Sequence, residues 1–155
     1  MRRAEIVVGS RVLDGLEALA LRSYPNEAIA SLHGYIVSAG GSRLKAVISL
    51  AARTYIARLA ATPLTVHFQL SPASLHNPSW IGMWHSHPNG RDELSHEDLE
   101  TARSLARARG GPIVAGVTAV GMKGDTAFYG HVFKLVDASG AVLGEVRVKR
   151  ARTIP

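Results

Sequence analysis

Hydrophobic and polar positions along the chain repeat with two periods, and the switches between them divide it into strands and helices. Residues 4–8 read as a short strand. Ser10 then suits an N-cap for a helix carrying Leu13, Leu16 and Ala20 on one face, with Pro25 stopping it. Strands are expected at 28–37 and 43–51, while the alanine-rich stretch 51–61 favours a helix without a defined register. Residues 65–70 alternate as a strand, and Pro72 and Pro78 make 71–78 a loop or helical turn.

The second half is patterned more sharply. Over 81–87 a strand would set Ile81, Met83, His85 and His87 on one face against Gly82, Trp84 and Ser86 on the other. Ser95 opens a helix running to Arg109, with Leu99, Ala102 and Ala106 inward, and Gly110-Gly111-Pro112 ends it. Residues 113–120 are almost continuously apolar, as in a strand covered on both faces. Strands at 126–137 and 141–149 follow, the last alternating Val142, Val146 and Val148 against Glu145, Arg147 and Lys149. The fold class is therefore α+β: a mixed, mostly antiparallel sheet flanked by helices, in one domain over residues 1–155 with its core at about 4–150.

Composition narrows the chemistry. With 46% hydrophobic and 19% charged residues the chain belongs among ordinary globular proteins. No apolar run approaches a membrane span and no signal-type core follows Arg2 and Arg3, so a soluble, cytoplasmic protein with no membrane partner is expected. There is no cysteine, so a transition-metal site must use histidine and carboxylate. The net charge of +6 comes mostly from arginines scattered singly, without interleaved aromatics, which argues for a solvated surface rather than a nucleic-acid partner.

The segment that carries chemistry is His85-Ser86-His87-Pro88, followed by Ser95-His96-Glu97-Asp98. Histidines at i and i+2 of a strand project from the same face, close enough to share one small cation. Asp98 lies eleven positions beyond His87, in the first turn of the next helix, where a strand–turn–helix connection can fold it back to the strand end. Two imidazoles and one carboxylate are the set expected at a catalytic zinc, which lowers the pKa of water to roughly 7.

This pattern resembles the JAMM/MPN+ (JAB-domain) zinc metalloprotease family, prokaryotic type. That family's signature is a distant glutamate, then His-x-His, ten intervening residues and aspartate, usually with proline after the second histidine and serine three before the aspartate. His85, His87, Pro88, Ser95 and Asp98 fill those positions. The resemblance implies a single MPN/JAB domain in which His85, His87 and Asp98 hold one zinc ion per chain. It implies that Ser95 hydrogen-bonds the developing oxyanion, and that an upstream glutamate moves a proton from water to the leaving amine. Among Glu5, Asp14, Glu17 and Glu27, the last sits where family members carry that glutamate, between the first helix and a strand. Ala28 and Ala30 stand where the family usually has a small residue and then glycine, and the 58 positions from Glu27 to His85 leave extra length at 51–63 or 71–80.

The reaction so implied is hydrolysis of a peptide or isopeptide bond after the C-terminal glycine of a ubiquitin-like or sulfur-carrier protein. Two other readings stand beside it: a RadC-like, DNA-associated relative, and a non-catalytic MPN scaffold. The first typically has Asn where this chain has Ser86, and the second has generally lost ligands that this chain keeps. Asp98 also suits the third position of a capping box begun by Ser95, and cap and oxyanion contact are expected to compete for one hydroxyl. His33, His67, His76, His96 and His131 lack ligand spacing and are expected to be structural or solvent-facing.

Overall fold

The computed structural model describes residues 3–52, 56–61, 66–70 and 72–154. Twelve elements follow in chain order: β1 (Arg3–Val8), α1 (Ser10–Ser23), β2 (Ile29–Ser38), β3 (Arg43–Ala52), β4 (Ile56–Ala61), β5 (Val66–Leu70), α2 (Pro72–Leu75), β6 (Trp80–His87), α3 (His96–Arg109), β7 (Ile113–Lys123), β8 (Thr126–Val136) and β9 (Val142–Thr153). Seven strands form one mixed sheet in the order β1-β3-β2-β6-β7-β8-β9, and β4 and β5 pair apart from it. Pairing within the large sheet is antiparallel except at β1–β3 and β6–β7. The outer strands β1 and β9 approach each other, giving the sheet a barrel-like curl. Any Cβ at Gly144 of β9 would stand 2.2 Å from the Ala4 carbonyl oxygen of β1.

Each face of the sheet carries its own core. On one, α1 buries Leu13, Leu16 and Ala20 in a cluster with Ile6, Leu32, Ile48, Trp84 and Phe133. On the other, Ala102 and Ala106 of α3 pack with Ile29, Trp80, Met83, Val117 and Val132. Two-sided covering is why the first eight residues of β7 are all buried, and why their sequence is continuously apolar instead of alternating.

Four local expectations change. The described residues of the 51–61 stretch are strand, not helix, and residues 53–55 lie outside the described ones: β3 runs on to Ala52, and β4 pairs antiparallel with β5, so ladder hydrogen bonds override alanine's helix preference. The N-cap of α1 is Gly9, with Ser10 already inside the helix. Ile81 does not share a face with the histidines. The β2–β6 register shifts between Leu32 and His33, and this bulge turns Ile81 into the Trp84 cluster. A second bulge, where Leu135 pairs Gly144 and Val136 pairs Val142, leaves Val142 exposed and sends Leu143 to the core. Among the described residues no helix is long and apolar enough to cross a membrane.

Candidate metal centre

Topology brings three segments to one end of the sheet. Strand β6, helix α3 and strand β7 make a β-α-β unit with β6 and β7 parallel, so the end of β6 meets the start of α3. Strand β2 runs antiparallel to β6, with Ile29 opposite His85, so the residues just before β2 arrive at the same place. His85 and His87 close β6, Asp98 lies in the first turn of α3, and Glu27 lies two residues before β2.

The side chains converge as their spacing suggests. The Nε2 atoms of His85 and His87 are 2.9 Å apart. Asp98 Oδ1 lies 3.3 Å from the His85 Nε2, and Oδ2 lies 3.6 Å from that of His87. Glu27 Oε1 stands 3.8 Å from His87 Nε2. Glu27, His85 and His87 each offer a donor atom within 4.8 Å of the others, so these three meet the distance condition for a shared cation. Asp98 and Glu27 therefore flank the imidazole pair, and the expected ligand set sits within a four-residue cluster.

The donor chemistry fits zinc. His87 Nδ1 lies 2.9 Å from the Arg91 carbonyl oxygen, which can only accept. The ring proton of neutral His87 is thereby placed on Nδ1, and Nε2 turns a free lone pair into the cluster, as at histidine metal ligands with an oriented second nitrogen. With no thiolate available, two imidazoles and a carboxylate are a borderline-to-hard donor set suited to Zn²⁺.

The electrostatics distinguish the two carboxylates. Burial pushes the Glu27 carboxyl above its usual range, against the pull of His85 and His87. Asp98 is also partly buried, which acts to raise it, but hydrogen bonding and charge from His85 and His87 and the Ser95 N–H hold it well below the usual carboxylate range. Burial likewise acts to lower His87, but Asp98 and the Arg91 carbonyl outweigh it and the ring sits above its ordinary value. Burial thus dominates at Glu27 and the neighbouring imidazoles dominate at Asp98.

Ser95 and Asp98 form a complete capping box. Ser95 Oγ accepts from the Asp98 N–H at 3.1 Å, and Asp98 Oδ2 accepts from the Ser95 N–H at 2.8 Å. The cap uses a lone pair of the Ser95 hydroxyl, so its proton remains available to an acceptor in the cleft, and the two roles do not exclude one another. Both residues line an open cleft of about 1000 Å³ with Glu27, His85 and His87. The loop over the cleft is tied back to β9: Arg147 donates to the Asp92 carbonyl at 3.3 Å and lies 3.7 Å from Glu93. His96 and Glu97 border the cleft without joining the cluster, and His67 lies among residues whose side chains are not described.

Two features escaped the sequence reading. Glu17 is buried and bonded to buried His131 at 2.6 Å, the start of a chain through Thr118 to the indole of Trp84. Ser86, between the two histidines, is buried and bonded to both backbone polar groups of Ala28.

Residues 9–130 match the model of a family described as prokaryotic homologs of the JAB domain. No curated protein matches the chain significantly in sequence. Among solved structures, the solution structure of protein DSY2949 from Desulfitobacterium hafniense is similar with a TM-score of 0.52 at 17% identity, covering 97% of this chain and 92% of that one. At that identity the likeness concerns the fold.

Proposed function

Because the chain belongs to the prokaryotic JAB-domain family, we propose that it is a zinc-dependent hydrolase of peptide or isopeptide bonds. The observation that carries this reading is the convergence of His85, His87 and Asp98 at the junction of β6 and α3, with the buried carboxylate of Glu27 beside them. His85, His87 and Asp98 would hold the metal. Zinc in this position supplies positive charge that polarises a carbonyl and makes water acidic.

The protein's own groups would do the rest. Glu27, raised by burial, accepts a proton from the attacking water and returns it to the leaving amine. The Ser95 hydroxyl, already oriented by the cap, donates to the oxygen on which negative charge develops. Asp98, held ionised, keeps a fixed negative charge beside two imidazoles. The substrate class we propose is a ubiquitin-like or sulfur-carrier protein whose glycine-ended tail enters the open cleft, and this rests on family membership.

Metal analysis and hydrolysis assays on one set of variants test the reading. The parent should carry close to one zinc per chain and cleave a ubiquitin-like fusion, and His85→Ala should lose the metal. Glu27→Gln should keep zinc while kcat falls by about 10²–10⁴-fold, the contribution of a positioned base. Zinc retained by His85→Ala would end the ligand assignment, and full turnover by Glu27→Gln would end the base assignment.

A further inference from the structure

Ser86 faces away from the cleft. The alternation of β6 directs it to the side opposite His85 and His87, where it is 1% exposed. Its partner is Ala28, the residue directly after Glu27. The Ser86 N–H donates to the Ala28 carbonyl at 2.9 Å, and the Ala28 N–H donates to Ser86 Oγ at 2.7 Å. One residue thus holds both polar backbone groups of Ala28, with the side chain taking the bond that a ladder carbonyl would otherwise accept.

Position makes this arrangement consequential. Regular pairing of β2 with β6 begins at Ile29 opposite His85. The Ser86–Ala28 pair carries the register one step beyond the strand, and the next step sets Glu27 across from His87, the ring nearest its carboxylate. Ala28 is itself 1% exposed, so its amide has no water to fall back on. Glu27 therefore leaves the sheet from a point pinned by the residue between the two histidines.

We propose that Ser86 is a positioning residue for Glu27: its hydroxyl fixes the Ala28 amide and so sets where the Glu27 carboxylate stands relative to His87. The claim rests on the hydrolase reading only for its kinetic consequence, because the geometric part concerns this chain with or without metal. Alanine cannot supply the acceptor. Threonine can, and it suits a strand.

The test compares parent, Ser86→Ala and Ser86→Thr in zinc-loaded and chelated forms. In the parent the Ala28 amide should exchange as slowly as ladder amides of β2, although it lies outside the strand, and loop-rate exchange there would overturn the proposal without any variant. In Ser86→Ala that amide should exchange at least about tenfold faster. Crystal structures of this variant should show Glu27 displaced from His87. Zinc content and KM should stay near parental values while kcat falls by about 10–100-fold, as for partners that orient a reacting group. Ser86→Thr should restore all three. Parental exchange and parental kcat in Ser86→Ala would refute the assignment, and so would a kcat loss accompanied by zinc loss that threonine fails to rescue. If the parent cleaves no substrate the hydrolase reading falls, yet amide exchange and the Glu27 position still decide the role of Ser86.

Discussion

At the scale of single residues, the chain from Glu17 to Trp84 can be assigned proton by proton. The indole N–H of Trp84 can only donate, and it does so to Thr118 Oγ1 at 2.7 Å. The Thr118 hydroxyl proton is then left for His131 Nδ1, also at 2.7 Å, so His131 carries its own proton on Nε2 and gives it to Glu17. Arg150 and Arg152 meet the same carboxylate at 2.9 and 2.8 Å. A fully partnered buried network is tolerated, and one missing a member is not. Glu17→Ala should therefore cost about 3–5 kcal/mol, measured as a lower urea midpoint, and a loss below about 1 kcal/mol would show that the network is not holding the fold. Signs of Glu17 were in the sequence. With Leu13, Leu16 and Ala20 it completes the i, i+3, i+4, i+7 stripe that α1 buries, so an acid stood on the apolar face. Its partners, 114 and 133 positions away, leave no trace in a local pattern.

At the scale of elements, what was legible tracks how local the cause is. Helix α3 shows its cap, its inward alanines and its terminal glycine within a short window, and it forms from Ser95 as N-cap to Gly110, whose φ of 83° suits glycine. The grouping of His85, His87 and Asp98 was legible for the same reason, since a strand end and the next helix start are adjacent in sequence. The bulge at Ile81 was not, because it depends on how β2 lies beside β6. The identity of β4 was not either, because its ladder partner decides it. A close approach within the large sheet is likewise non-local. Gly82 faces Val114 in the parallel β6–β7 pair, and a Cβ there would stand 1.9 Å from the Val114 carbonyl oxygen. Gly82→Ala must push β6 off β7 three residues before His85. We expect a stability loss of at least about 1–3 kcal/mol together with weaker zinc retention, and an unchanged melting temperature would refute that packing.

At the scale of the whole molecule, buried histidine makes stability depend on pH. Burial pushes His131 below its ordinary value of 6.5 despite the attraction of Glu17. The unfolded chain therefore binds more protons than the folded one as pH falls through about 6.5, and stability declines on the acid side. His87, held above its ordinary value, acts in the opposite sense: its contribution is present below 6.5 and lost as pH rises through its folded value. The measurement is thus the difference between zinc-free parent and His131→Gln. The parent should lose melting temperature between pH 7.5 and 5.5 relative to the variant, and parallel curves would remove His131 as the cause.

One carboxylate begins a helix and also faces the imidazole pair: Asp98 Oδ2 accepts from the Ser95 N–H while Oδ1 turns to His85. Asparagine would pull these duties apart, since its amide oxygen can still receive that N–H while the cleft loses an anionic donor. Asp98→Asn stripped by chelator should keep its capped helix and melt below the stripped parent only by the lost attraction of the carboxylate for His85 and His87, and it should show none of the gain that zinc gives the parent. In this molecule the stabilising work of the helix start and the residence of the ion would then be read as two separate increments from a single exchanged atom.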